Sequence, residues 1–510
     1  MEILDCTLRD GGYYTDWDFN METVIAYAQA MRILPVDVVE IGYRSLPGKN
    51  YLGQFGYCPV STIEHIKGIA GKKIAVMVNE KSVLPTDLDH VLKPVAGLVD
   101  RVRIAVDPKN FIRAVVLAKA IKDMGFQVSF NMMYMSTWNA SEGIYEQLSQ
   151  LTGVADMFCM VDSFGGTTPD EVKSIIASVK AEASVAIGFH GHNNLQLALA
   201  NTLTALEFGA ASVDATLLGM GRGAGNLKLE LFLTYLNSRA GLNVDFNALG
   251  DVLTIFEPLK KRYGWGTNLP YMLSGANGIP QKEVMEWVSN RVYSFNTIVR
   301  TLDERRHHPK DGLDYPAFYA NKRYRGVVVI GGGPSAKIHR QAIVEFLRLN
   351  SDLALIFSTS RHAGEYLGVE NDHFYCLAGD ESRRYMATVG NDDINGVCIL
   401  PPSPRKMCVN VPECAKDRAC ELKNFLFQAQ YRDSVTAIAL QLARELTDGT
   451  VWIAGYDGYS GQTLSEKEMS LMRENRDVFA TFVKVCGDRL VSLFPTLYDE
   501  LKTESVYQFL

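Results

Sequence analysis

The sequence predicts an α/β protein: a TIM-type (β/α)8 barrel over residues 1–242, and a smaller Rossmann-like α/β domain over 322–510. Three observations predict this. Eight strand-like apolar runs alternate with helix-like stretches in the first half of the chain. Charged and polar residues recur at or just after the ends of those runs, where barrel active sites sit. A second strand–glycine turn–helix pattern begins near residue 325, and 510 residues are too many for one core.

The strand-like runs are 2–8, 37–43, 73–79, 101–106, 126–133, 156–161, 185–190 and 212–217. They are rich in Val, Ile and Phe, as strands covered on both faces are. The stretches 20–34, 111–124, 169–181 and 195–208 have the apolar spacing of helices that lie on a sheet. A doubly wound open sheet competes with the barrel, because periodicity does not show closure. The positions of Arg9-Asp10, Glu40, Asn131, Asp162 and His190/His192 favour the barrel.

Residues 243–302 read as a helical extension, broken at Gly264-Trp265-Gly266 and 274–278. The polar stretch 303–321, with His307-His308, reads as a linker. In the last domain, Gly326-Val327-Val328-Val329-Ile330 is a strand and Gly331-Gly332-Gly333-Pro334-Ser335 a glycine-rich turn. A helix follows at 338–349, then a strand at 353–358, a helix at 434–446 and a strand at 451–454, which ends in Gly455-Tyr456-Asp457-Gly458.

Composition sets limits. With 47% hydrophobic and 21% charged residues, the chain has the make-up of a globular enzyme. A net charge of −7 and the lack of a Lys/Arg block argue against nucleic acid as the partner. No signal peptide or membrane span is expected. The nine cysteines lack metal-type pairing, which suits a reduced cytoplasmic setting. A homo-oligomer is compatible with all of this.

Asp10, His190 and His192 are the expected metal ligands, with Asn226 approaching from the loop Gly219-Met220-Gly221-Arg222-Gly223-Ala224-Gly225-Asn226. Two histidines two apart on a strand face one side, and mixed nitrogen and oxygen ligands suit Mn²⁺, with Mg²⁺, Co²⁺ or Zn²⁺ as alternatives.

Thr7-Leu8-Arg9-Asp10-Gly11, with Glu40 on the second strand run and His190-Gly191-His192 on the seventh, resembles the DRE-TIM metallolyases, the HMGL-like superfamily. The pattern 192–195, Val213-Asp214-Ala215 and the loop 219–226 are most similar to its 4-hydroxy-2-oxovalerate aldolase branch. The resemblance covers about residues 1–275. It implies a carbon–carbon lyase that forms or cleaves a 4-hydroxy-2-oxo acid from pyruvate and an aldehyde. The divalent metal would act as a Lewis acid on the enolate. Arg9 would face the developing oxyanion and Glu40 would position Arg9. Arg103, Asn131 and Asp162 would contact substrate.

One departure stands out. The aldolases carry a histidine three residues after the metal aspartate, where this chain has Tyr13. A tyrosine relays protons but is a poor base at neutral pH. The Ser-His after Met-Met becomes Tyr134-Met135, so the acceptor end is remodelled and a sugar-like aldehyde is expected. Two rival readings are a Claisen-type acyltransferase using acyl-CoA and a degenerate barrel acting as a scaffold. The first lacks its usual Glu-Gln after Arg-Asp-Gly. Intact Arg9, Asp10, Glu40, His190 and His192 oppose the second.

For the C-terminal domain, Gly331, Gly332, Gly333 and Ser335 are expected to cradle a nucleotide or phosphorylated ligand, with Asp433 and Asp457 contacting hydroxyls. The stretch is similar to Rossmann-like domains of the pterin diphosphokinase and sialyltransferase types.

Overall fold

The computed structural model describes residues 1–141, 143–289, 295–304, 315–393, 396–403, 405, 409, 411–460 and 464–510. Eight parallel strands close into a barrel in chain order. They are β1 (Glu2–Asp5), β2 (Val38–Tyr43), β3 (Lys73–Asn79), β4 (Arg101–Val106), β5 (Gln127–Met132), β6 (Met157–Asp162), β7 (Ala186–Gly191) and β8 (Ser212–Ala215). Closure is a matter of register. β1 pairs with β2 at Leu4–Val38 on one side and with β8 at Leu4–Asp214 on the other.

The first strand is shorter than the 2–8 run suggests. Asp5 ends it by accepting hydrogen bonds from the backbone N–H and hydroxyl of Thr7, at 2.8 and 2.9 Å. The chain turns there into the helix Thr7–Thr15. Arg9 and Asp10 therefore lie on the buried first turns of a helix behind β1, not on the strand itself. Leu4 and Leu8 suggested one continuous strand, whereas a local side-chain bond stops it.

The chain divides into two compact units, Met1–Glu286 and Trp287–Leu510. The stretch expected as one helical extension is shared between them. Helices Phe246–Tyr263 and Leu269–Ala276 belong to the first unit and Phe295–Glu304 to the second. Residues 305–314 of the expected linker, His307 and His308 included, lie outside the described residues.

The second unit holds an eight-stranded parallel sheet: β9 (Gly326–Ile330), β10 (Leu353–Phe357), β11 (His373–Cys376), β12 (Val397–Leu400), β13 (Ala419–Glu421), β14 (Val451–Ala454), β15 (Leu490–Ser492) and β16 (Lys502–Thr503). Its order is β13-β12-β11-β10-β9-β14-β15-β16. Val328 and Ile330 pack into one apolar cluster, Val327 and Val329 into another, so both faces are covered. Strand order reverses between β9 and β14, the position where open parallel sheets form a crevice at their carboxyl ends. No helix among the described residues is long and apolar enough to cross a membrane.

Candidate metal centre at the barrel mouth

Asp10, His190 and His192 come together, all buried, with one ligand atom from each lying within 4.8 Å of the others. His190 is in β7 and His192 one residue beyond it, so the period of two puts both rings on one side, 5.0 Å apart. His190 Nε2 is 3.5 Å from Asp10 Oδ2.

The other nitrogen of each ring is already committed. His190 Nδ1 meets Asp214 Oδ2 at 2.8 Å, and His192 Nδ1 meets the carbonyl of Asp162 at 2.8 Å. That leaves both Nε2 atoms uncommitted, with that of His190 facing Asp10, the arrangement by which outer partners orient metal-binding histidines. Burial, aided by the neighbouring His190, lowers the His192 pKa to about 3. Its ring is therefore neutral, with a lone pair to offer. Burial raises the Asp10 pKa, but Arg9 and the two imidazoles outweigh it, and the net direction is down.

Asn226 joins them through the glycine loop. A bridge pairs Asn226 with His192, and its Nδ2 donates to Asp10 Oδ2 at 2.6 Å. Gly225 has φ +76°, and a Cβ there would fall 2.1 Å from the Gly219 carbonyl oxygen, so only glycine fits. Asn226 Oδ1 is buried and has no hydrogen-bond partner among the described residues. An orphaned acceptor beside a carboxylate and two free imidazole nitrogens fits a divalent cation.

A charge network lies beneath. Glu40 Oε2 accepts from Arg9 Nε and from Arg103 Nη1, each at 2.8 Å. Arg9 also pairs with Asp10, and Arg103 with Asp214. With its amide oriented to satisfy both ends, Asn131 Oδ1 accepts from Arg103 Nη2 at 2.6 Å. Glu40 Oε1 has no hydrogen-bond partner among the described residues. All these groups are buried. Arg103→Met should lower the urea midpoint of the barrel transition by the equivalent of about 3–5 kcal/mol, because two carboxylates lose a buried partner. An unchanged midpoint would mean that the pair contributes nothing to folding.

The expected site residues are placed as follows. Arg9, Asp10, Glu40, His190, His192 and Asn226 form one connected cluster. The Tyr13 hydroxyl lies 2.8 Å from that of Tyr43, and the Arg222 guanidinium stacks 4.2 Å from the Tyr13 ring centre. Arg103 and Asn131, expected to touch substrate, bind each other and the network. Asp162 turns its carboxylate to the backbone N–H groups of Gly165 and Thr167, at 3.1 and 3.3 Å. Burial raises its pKa to about 6. Its carbonyl, not its carboxylate, meets His192.

Sequence reasoning gave no role to Asp214, Tyr43 or Arg222. Asp214 had a visible signal, as a lone carboxylate inside the apolar run 212–217. Arg222 had one too, as the only charge in the glycine loop. Tyr43 had none beyond closing its strand.

In the second unit, the Gly331–Ser335 turn does end β9 at the switch point. Its partner is the turn after β14. Ser335 Oγ accepts from Gly455 N at 3.0 Å, and Asp457 Oδ2 accepts from Ser335 N at 3.4 Å. A Cβ on Gly333 would fall 2.1 Å from Asp457 Oδ2. The Asp457 carboxylate thus lies against the Ser335 N–H within the turn. Asp457 caps the turn where a contact to ligand hydroxyls was expected. Asp433 precedes Ser434, the N-cap of the helix Val435–Leu446.

Comparison with known proteins follows the same division. Residues 1–255 match the HMGL-like family model. The 4-hydroxy-2-oxovalerate aldolase of Pelotomaculum thermopropionicum is 33% identical over 277 residues, spanning 51% of this chain and 78% of the relative. That of Carboxydothermus hydrogenoformans is 31% identical over 242 residues, 46% of this chain and 70% of the relative. A crystal structure of the N-terminal domain of a candidate aldolase from Bacteroides vulgatus is 60% identical. It covers 59% of this chain and 99% of its own, with a TM-score of 0.57.

Proposed function

This chain belongs to the HMGL-like family, and from that premise we propose that it is a divalent-metal-dependent aldolase that joins a 2-oxo acid such as pyruvate to an aldehyde, or cleaves the product. The single observation that carries the reading is the buried Asp10–His190–His192 cluster with the orphaned Asn226 oxygen beside it. A divalent ion held by these residues, Mn²⁺ in our reading, supplies Lewis acidity toward the keto oxygen of the 2-oxo acid.

The protein's own groups do the rest. Arg9 gives Nε to Glu40 and Nη1 to Asp10, which leaves Nη2 to face the oxyanion that develops as a solvent base takes the C3 proton. Glu40 holds Arg9 in that pose. The donor C3 then attacks the aldehyde carbon, and the new alkoxide takes a proton. Tyr13 is placed to pass that proton along, with Tyr43 behind it at 2.8 Å. Burial and the neighbouring Tyr13 push the Tyr43 pKa up, so Tyr43 stays a neutral donor. Tyr13 thereby takes the place of the aldolase histidine, and the acceptor is a sugar-like aldehyde. The eight described cysteines are free, in keeping with a cytoplasmic enzyme.

The test needs no knowledge of the acceptor. Incubated with pyruvate and Mn²⁺ in D₂O, the full-length protein should exchange the methyl protons of pyruvate, followed by NMR. Absence of exchange with Mn²⁺, Mg²⁺, Co²⁺ and Zn²⁺ alike would overturn the reading.

A further inference from the structure

Three guanidinium groups stand at or below the barrel mouth, and only two have carboxylate partners. Arg9 and Arg103 are tied to Asp10, Glu40 and Asp214. The Arg222 side chain is half-buried and, among the described residues, makes no hydrogen bond or direct ion pair; it lies over the Tyr13 ring and feels the Asp10 carboxylate only at longer range. A guanidinium held partly out of water with no carboxylate in direct contact is costly. A tyrosine face offsets only about 0.5–2 kcal/mol of that.

The loop holds Arg222 there. Gly223 N donates to the Tyr14 hydroxyl at 3.0 Å, Ala224 N to Gln281 Oε1 at 3.2 Å, and Trp265 Nε1 donates to the Leu218 carbonyl at 3.0 Å. Gly223 has φ +58° and a Cβ there would fall 2.2 Å from Gln281 Oε1, so the backbone has little room to move. Arg222 is thus a pre-placed planar donor fork in a protected site, suited to a two-oxygen anion. It sits with Tyr13 and Tyr43, where the acceptor enters, while Arg9 serves the donor's oxyanion.

Resting on the aldolase reading above, we propose that Arg222 binds an anionic group carried by the acceptor, a carboxylate or a phosphate monoester. The substrate class is then an anionic aldehyde.

Two arms test this. In the first, calorimetric titration of the Mn²⁺-loaded protein compares succinate and glycerol 3-phosphate with neutral glycerol. At least one anion should bind well over tenfold more tightly than glycerol, and Arg222→Gln should lose that preference while Arg222→Lys keeps part of it. Which anion wins separates carboxylate from phosphate. Equal binding of all three probes would overturn the proposal. In the second arm, aldol addition with pyruvate compares succinic semialdehyde and glyceraldehyde 3-phosphate with butanal and glyceraldehyde. Arg222→Gln should cut the anionic-to-neutral ratio of kcat/KM by about 10²-fold. A ratio unchanged by the mutation, or a rise confined to the KM for pyruvate, would overturn it by assigning Arg222 to the donor. If the wild type turned over no acceptor, the aldolase reading would fail, and the calorimetric arm would still decide whether Arg222 is an anion site.

Discussion

Arg9→Lys should slow pyruvate C3–H exchange by about 10²-fold or more while leaving the protein folded. The expectation follows from how the guanidinium is divided. Nε is fixed on Glu40 at 2.8 Å and Nη1 on Asp10, so the direction of Nη2 is set by two buried carboxylates. Lysine keeps the charge but has a single ammonium on a flexible stem. It can pair with Glu40 or with Asp10, or reach the oxyanion, but it cannot do all three. The loss of one oriented donor to a developing oxyanion costs about 10²–10³ in rate. Folding should change less, since Glu40 keeps Arg103 and Asp10 keeps Asn226. Exchange rates in D₂O and far-UV circular dichroism together check this. A folded Arg9→Lys protein with the wild-type exchange rate would remove Arg9 from the chemistry.

How much of this was legible in the sequence depends on how local the cause is. Strand positions could be read because burial on both faces leaves unbroken apolar runs, and Asp10, Glu40, His190 and His192 because short motifs mark them on or just after those runs. Barrel closure was not local: it lies in the pairing of β1 with β8, two hundred residues apart. The early end of β1 was local, but it depends on a single Asp5–Thr7 bond that periodicity does not register. The roles of Arg103 and Asn131 could not be read either. Both are inward polar residues on strands, which fits substrate contact, and only the facing side chains show that their partners are Glu40, Asp214 and each other. At the Gly331–Ser335 turn, the glycines suggested a close approach by a phosphate. The approaching group is Asp457, more than a hundred residues away in sequence, brought there by the adjacency of β9 and β14. Arg222 is the converse case. It was visible as a charge in a glycine loop, but its lack of a directly paired carboxylate appears only when every neighbour is in place.

The double substitution His190→Ala/His192→Ala should abolish stoichiometric metal binding and reduce pyruvate exchange to background. Each ring is held by a bond at Nδ1, which leaves its Nε2 to offer to an ion. Removing both leaves Asp10 as the one remaining charged ligand, already paired with Arg9 and Asn226. A lone carboxylate with two donors on it is a weak site for any divalent ion, whereas a two-histidine, one-carboxylate set binds transition ions well. The Asp214 carboxylate limits the structural damage, because it retains Arg103 when His190 is gone. Metal content by mass spectrometry after dialysis, with a melt to confirm folding, separates the outcomes. Wild-type protein should hold about one ion per chain and the double variant almost none. Added Mn²⁺ should raise the melting temperature of the wild type only, since a ligand that binds only the folded form stabilises it. Full occupancy in a folded double variant would place the ion elsewhere, and with it the Lewis acid on which the aldolase reading depends.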